Sequence, residues 1–308
     1  MTRAVVFAYH DVGVRCLRAL LGQGVTVPLV VTHQDAPGEE IWFDSVARHA
    51  HWHGLEVVTP EDPNTPGLLA TVRAAQPDFL FSCYYRHMLG AELLAAAPRG
   101  AFNMHGSLLP RYRGRVPVNW AVLNGERETG ATLHAMTIKA DEGGIVDAQA
   151  VPILPDDTAV EVFRKVAVAA EMTLNRALPA LVAGTAVLRP QNAAAASYFG
   201  RRTRADGAID WRLGAVAVHN LVRAVAPPYP GAFATAGGLQ LRVLRSLPAS
   251  GPCAAQTELR WIDGVVWAQC HDGALRLLEF ELDGEVRDAA AFHARFGTAA
   301  LTLGNGRQ

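Results

Sequence analysis

Five short apolar runs rich in β-branched residues, at 4–9, 25–32, 56–59, 79–82 and 101–104, alternate with helix-length segments over the first third of this 308-residue chain. Strands separated by that much sequence cannot pair as hairpins, and a parallel neighbour needs a crossover of about a dozen residues or more, usually a helix. The spacing therefore predicts an α/β fold, a Rossmann-like and mostly parallel sheet with helices on both faces. Helices are expected at 42–53, 68–75 and 90–96. Open sheets of this kind gather ligands beyond the carboxyl ends of their strands, where His10, Tyr84 to His87 and His105 fall.

Two further strands are expected at 129–138 and 145–153, with Asp141 in their connection. Thr158 and Glu161 form a capping-box pattern, and apolar residues recur at helical spacing from Val162 to Leu181. The stretch 184–206 mixes a proline, an alanine run and an arginine cluster and reads as connecting chain. Domain limits are expected at 1–190 for a first domain, 191–205 for the linker and 206–308 for a second. The second domain shows a helix near 216–225 and short strands at 239–244, 258–262, 265–269 and 274–279, the pattern of a smaller β-rich, OB-like domain. Half of all residues are hydrophobic, enough for two packed cores.

Charge narrows the function. With 28 Lys and Arg against 29 Asp and Glu, the formal net charge is -1. Nucleic acid and anionic membranes, which require clustered basic surface, are not expected partners. No secretory leader pattern opens the chain, and the longest apolar stretches are broken by Gly, Pro or charge, short of the roughly 20 residues that span a bilayer. A cytoplasmic protein without membrane insertion is expected, and a homo-oligomer is left open. Cys16, Cys83, Cys253 and Cys270 lack paired spacing and read as buried, reduced thiols. His49 and His53 share a helical face but find no obvious third ligand, so no metal is expected. The turn Tyr9-His-Asp-Val-Gly13 carries one glycine where a dinucleotide fingerprint needs three, which speaks against NAD.

The chemistry concentrates at 101–114, Ala-Phe-Asn-Met-His-Gly-Ser-Leu-Leu-Pro-Arg-Tyr-Arg-Gly, and at Asp141. Asn103 and His105 lie two apart at a strand end, so both side chains point to one face. A carboxylate can join them there. An amide donor, an imidazole and an anion together suit attack on a carbonyl: donors await the developing oxyanion while the acid steers the imidazole and accepts a proton.

These residues resemble the Asn, His, Asp constellation of the folate-dependent formyltransferases. Phe7-Ala-Tyr-His-Asp11, Tyr84-Tyr-Arg-His87, His105-Gly-Ser-Leu-Leu-Pro-Arg-Tyr-Arg-Gly-Arg115, Asn119-Trp120, Gly200-Arg-Arg-Thr203 and Val222-Arg-Ala-Val225 look most like the UDP-4-amino-4-deoxy-L-arabinose formyltransferases of lipid A modification, which occur as one domain of bifunctional polymyxin-resistance proteins. The similarity runs to about Phe233. It implies that Asn103, His105 and Asp141 are catalytic, and that Tyr84, Tyr85, Arg86, His87 and Met88 border the slot for the co-substrate N10-formyltetrahydrofolate. Arg115, Arg201, Arg202, Tyr112 and Asn119 would hold a nucleotide-sugar acceptor, guanidinium forks suiting its phosphates. Methionyl-tRNA formylation, hydrolysis of formyltetrahydrofolate and formylation of a dTDP- or GDP-linked aminosugar stay open as alternatives. So does the choice between a standalone enzyme and a domain of a longer polypeptide.

Overall fold

A computed structural model describes residues 1–36, 38, 40–250 and 257–306. The chain divides into two compact units: Met1–Pro117, Glu128–Pro152 and Phe163–Gly200 form the first, while Val118–Arg127, Ile153–Val162 and the residues from Arg201 onward form the second.

In chain order the elements up to Gly200 are β1 (Arg3–Ala8), α1 (His10–Gly22), β2 (Thr26–Val31), α2 (Val46–Trp52), β3 (Glu56–Val58), α3 (Pro66–Ala74), β4 (Phe79–Cys83), α4 (Ala91–Leu94), β5 (Ala101–His105), β6 (Arg113–Gly114), α5 (Pro117–Leu123), β7 (Glu128–Ala135), β8 (Ile145–Pro152), α6 (Ala159–Ala183) and β9 (Tyr198–Phe199). The main sheet of the first unit runs β3-β2-β1-β4-β5-β7-β8. From β3 to β5 every pairing is parallel, and β7 and β8 add an antiparallel margin. This is the expected α/β architecture. Helices cover both faces, so β1 and β4 are buried almost throughout and read as unbroken apolar runs rather than alternating ones. Val5, Phe7, Leu29 and Leu80 pack on one face against Leu68, Leu69 and Val72 of α3 and Leu93 of α4.

Some boundaries differ from the sequence reading. The helix expected at 42–53 starts only at Val46, because Ser45 is extended and its Oγ accepts the Arg48 N–H at 3.2 Å as an N-cap. Trp42 and Phe43 instead pack around the His10 ring. The strand expected at 129–138 ends at Ala135, where the chain turns toward Asp141. The capping box at α6 forms as read: the Glu161 carboxylate accepts the Thr158 N–H at 2.7 Å, and Thr158 Oγ1 accepts the Glu161 N–H at 3.4 Å. Among the described residues α6 is the one helix long and apolar enough to cross a membrane by length and composition, and half of its most apolar window is buried. On its outer side Glu171 pairs with Arg15 of α1 at 2.7 Å, both side chains about 40% exposed.

The second unit continues with α7 (Ala215–Val225), β10 (Ala232–Ala236), β11 (Leu239–Ala249), β12 (Glu258–Ile262), β13 (Val265–Cys270), β14 (Gly273–Leu282), β15 (Glu285–Arg287), α8 (Ala289–Phe296) and β16 (Leu301–Gly304). The antiparallel order β11-β10-β16-β12-β13-β14 closes on itself through a β11–β14 pairing. The result is a six-stranded, OB-like barrel with β15 as a short extra hairpin arm. Trp211, Val243, Leu259, Val266, Leu275, Phe280 and Phe292 fill its core, joined by Val218 and Val222 of α7. Strands β10 and β16 escape sequence reading because Ala-Phe-Ala-Thr-Ala and Leu-Thr-Leu-Gly are too short and weakly patterned to stand out. Cys16, Cys83 and Cys270 are buried and unbonded, and Cys253 lies outside the described residues.

Candidate active site

Strand β5 presents Asn103 and His105 on one face, and its antiparallel pairing with β7 sets Asn103 opposite His134 and His105 opposite Thr132. The turn that follows is tightly held. Thr132 Oγ1 donates to the Ser107 carbonyl at 2.6 Å and accepts the Leu109 N–H at 3.2 Å, and Ser107 Oγ donates to the Arg111 carbonyl at 2.7 Å. The turn brings the Tyr112 carbonyl to 2.8 Å from His105 Nε2. A carbonyl only accepts, so Nε2 carries the proton, and in the neutral ring Nδ1 is bare.

Asp141 completes the cluster from the connection between β7 and β8, with a left-handed backbone at φ +56°. Its Oδ2 accepts the Gly114 N–H at 2.9 Å. Its Oδ1 lies 3.5 Å from His105 Nδ1, 3.3 Å from His134 Nε2 and 3.4 Å from the donating Asn103 Nδ2. The three side chains named from sequence therefore converge, although Asp141 is separated from Asn103 by 38 positions. Gly114 must be glycine: it sits at φ +96°, and a Cβ there would come within 2.3 Å of the Phe199 carbonyl oxygen.

Burial works against charge on Asp141, but the positive charge of His105 when that ring is protonated, together with the His134 ring and the Gly114 amide, outweighs it and holds the carboxyl well below the ordinary carboxylate range. The His105 ring moves the other way from a paired imidazole. Burial pushes it below the usual imidazole value against the pull of Asp141 and the Tyr112 carbonyl. Near neutral pH the site thus holds a carboxylate facing the bare Nδ1 of an uncharged imidazole.

His134, which sequence reading missed, is the fourth member. Its side chain is 2% exposed, its Nδ1 donates to the Ala135 carbonyl at 2.8 Å, and that tautomer leaves Nε2 to accept from Asn103 Nδ2 at 3.1 Å. Only alternation along β7 hints at it, and alternation does not say which residue it faces on β5.

The loop after β4 adjoins this centre. Tyr84 Oη lies so close to Gly106 that a Cβ there would stand 1.9 Å away. Sheet order reverses between β1 and β4, where the His10 and Tyr84 rings sit 6.5 Å apart. Tyr85 stacks on His33 at 4.2 Å, and burial, with Asp62 adding to it, pushes its phenol up to about 12. Arg86, His87 and Met88 are exposed on the same loop.

Two residues expected to hold the acceptor lie buried. Tyr112 is buried, its ring stacked on Phe199 at 4.9 Å and its carbonyl engaged by His105. Asn119 is buried in the second unit, where its Nδ2 donates to the Ala224 carbonyl at 2.9 Å. Arg115 is exposed and donates to the Arg86 carbonyl at 3.3 Å. Arg201 is exposed, and Arg202 lies over the Trp120 ring at 4.8 Å with a bond of 2.9 Å to the Asp206 carbonyl. The His49 imidazole bonds Asp44 at 2.6 Å, and no group of three or more metal-capable side chains occurs among the described residues.

Solved structures resemble this chain over three quarters of its length or more. The crystal structure of the N-formyltransferase from Helicobacter canadensis with folinic acid and dTDP-3-aminofucose is 21% identical, covering 90% of this chain and 99% of its own, with a TM-score of 0.73. WlaRD, a sugar 3N-formyl transferase solved with dTDP and 5-N-formyl-THF, is 19% identical over 90% of this chain and 97% of its own, with a TM-score of 0.72. A sugar N-formyltransferase from Shewanella sp. is 20% identical over 76% and 92%, with a TM-score of 0.61. At such identities the likeness establishes the fold. Family membership rests on the sequence profiles: "Formyl transferase, C-terminal domain" matches residues 202–296, well past Phe233 where the motif likeness fades. "Formyl transferase" itself matches residues 16–178, more than half of the chain and all of Asn103, His105, His134 and Asp141. The chain belongs to the formyl transferase family and is an enzyme of formyl transfer.

Proposed function

We propose that this enzyme moves the formyl group of N10-formyltetrahydrofolate to the amine of a nucleotide-linked aminosugar, and that the acceptor is UDP-4-amino-4-deoxy-L-arabinose. The observation that carries the reading is the meeting of Asn103, His105 and ionised Asp141 at one end of β5. The neighbours solved with dTDP-3-aminofucose and folinic acid, and with dTDP and 5-N-formyl-THF, support an amino-sugar acceptor, and the Gly200-Arg-Arg-Thr203 and Arg115 motifs support the UDP-4-amino-4-deoxy-L-arabinose assignment.

The geometry suggests how these groups divide the reaction. Because Nε2–H is committed to Tyr112, His105 acts through Nδ1. As the acceptor amine bonds to the formyl carbon, Nδ1 takes the ammonium proton, and the new imidazolium is stabilised by the carboxylate 3.5 Å away. The protonated Nδ1 then donates, first toward the tetrahedral oxygen and then to N10 as the C–N10 bond breaks. Asn103 supplies a second donor by releasing its longer bond, the one of 3.4 Å to Asp141, while His134 keeps the amide oriented. Removing one such oxyanion donor costs about 3 to 4 kcal/mol in well-studied acyl transfer.

The test is to incubate the protein with formyltetrahydrofolate and UDP-, dTDP- and GDP-linked 4-aminosugars and to weigh the products for one added formyl group. Gain on the UDP sugar alone supports the full reading. Gain on another sugar nucleotide moves the acceptor assignment, and no gain on any of them overturns it.

A further inference from the structure

The segment between α6 and β9 contributes nothing to the chemistry above, yet it grips the loop that carries Asp141. Gln191 Nε2 donates to the carbonyls of Asp141 and Gly143, each at 2.7 Å. Its Oε1 accepts from Nε and Nη2 of Arg113, at 3.1 and 2.7 Å. Arg113 is buried, and its Nη1 donates to the Tyr198 hydroxyl at 2.5 Å, which donates in turn to Glu142 at 2.6 Å. Every polar atom of the Gln191 amide therefore has a partner, and each partner is the Asp141 loop or a side chain flanking it.

The same segment holds the other edge of the site. Arg113–Gly114 and Tyr198–Phe199 pair as parallel β6 and β9, and the Arg113 N–H meets the Ser197 carbonyl at 2.8 Å. That ladder fixes the Gly114 amide that binds the Asp141 carboxylate, and it adjoins the Tyr112 carbonyl that binds His105. Asp141 is clamped from two sides, by Gly114 at its carboxylate and by Gln191 at its backbone. A left-handed aspartate is strained and persists only where its surroundings over-determine it.

We infer that Gln191, itself held by Arg113, is a positioning residue for Asp141, and that residues 189–199 are a strap setting the carboxylate against His105. The inference rests on the reading that Asp141 and His105 handle the amine proton. An enzyme site loses activity when a supporting group lets a reacting group drift by an ångström, even with the fold intact.

Gln191→Glu and Gln191→Met test it. Glutamate keeps the volume and offers Arg113 a charge-assisted acceptor, but it has no hydrogen for the two carbonyls. Methionine removes the donors without adding charge. Both are compared with the wild type by thermal midpoint, by kcat and KM in formyl transfer to UDP-4-amino-4-deoxy-L-arabinose, and by NMR titration of the His105 ring, assigned through its loss in His105→Asn. The expected result is a kcat reduced at least about tenfold in Gln191→Glu, with KM for the formyl donor and the thermal midpoint nearly unchanged. In Gln191→Met the His105 ring titrates lower, because a displaced Asp141 no longer favours its charged form. Unchanged kcat, a loss that merely follows the thermal midpoint, or an unshifted His105 titration overturns the positioning role. The titration needs no acceptor, so a ring shift alongside failure to formylate any sugar nucleotide would leave the strap standing and remove the acceptor assignment alone.

Discussion

Asp141→Asn changes the site by one charge and almost no volume, so its consequences can be worked out contact by contact. In the wild type Oδ2 accepts the Gly114 N–H at 2.9 Å, while Oδ1 faces Asn103 Nδ2, His134 Nε2 and His105 Nδ1 at 3.3 to 3.5 Å. Asparagine can keep the acceptor for the Gly114 N–H, but its NH2 then faces the donating Asn103 amide as well as the bare His105 Nδ1 and His134 Nε2, so the Asn103 bond is the one lost. The lost bond to a charged group is worth about 1.5 to 3 kcal/mol. The larger effect is on the proton: without the anion nothing stabilises the imidazolium formed at Nδ1, and general acid–base catalysis of this kind supplies about 10²- to 10⁴-fold. We expect kcat to fall by that factor, about 3 to 5 kcal/mol in barrier, with little change in KM for the formyl donor. Stability gives an independent reading. The folded-state pKa of Asp141 is depressed, so the unfolded chain binds its proton first as pH falls. The contribution is therefore complete above the ordinary value of 3.8 and lost below it. The gap in thermal midpoint between wild type and Asp141→Asn should be widest near neutrality and close as pH drops below about 4. A variant retaining more than about a tenth of wild-type kcat, or a gap indifferent to pH, would refute the reasoning.

Three further expectations follow from other contacts. His134→Phe keeps the ring volume but removes the acceptor of the Asn103 amide, and steady-state kinetics should show kcat down by about ten- to a hundredfold with the thermal midpoint nearly retained. Because burial holds the folded-state pKa of His105 below the ordinary 6.5, a kcat–pH profile should keep its plateau below pH 6.5 and fall on further acidification as Nδ1 becomes protonated and can no longer accept from the amine. A profile already half lost at pH 6.5 would contradict it. In the barrel, Trp211 is 2% exposed and its Nε1 donates to the Gly304 carbonyl at 3.2 Å, so Trp211→Ala should cost about 3 to 5 kcal/mol in a denaturant melt.

What could be read from sequence follows from the range over which each signal acts. The parallel strands were legible because burial on both faces makes each a compact apolar run, and Thr158 with Glu161 was legible because a capping box lies within four consecutive residues. Asn103 and His105 were readable as a pair because strand alternation is local. Register is not local: nothing in Glu128–Ala135 announces that His134 will face Asn103. Tyr112 and Asn119 show the same limit, since their burial is not legible either. Each sits in a motif with chemical promise, but the backbone turns them inward, one to stack on Phe199 and the other to satisfy a helix carbonyl. The stretch at 191–200 is built on an alanine run and lacks periodicity, yet Gln191, Ser197 and Tyr198 all bond residues more than 45 positions away.

The antiparallel margin of the sheet explains why a carboxylate so distant in sequence can reach β5. Had the strand beside β5 been parallel, the chain leaving it would have entered a crossover of about a dozen residues or more across the sheet face. Strand β7 runs the other way, so Asn103 gains an opposite number in His134 at 3.1 Å, a separation typical of a direct side-chain bond between paired strands. The chain leaving β7 needs only to turn before joining β8, and within six residues of Ala135 it places Asp141 over the face that Asn103 and His105 already share. Such a short return leaves the loop few contacts of its own. The Gly114 amide and the Gln191 side chain provide the missing restraint, which is why the chain after α6 must come back to β6 for the site to be complete.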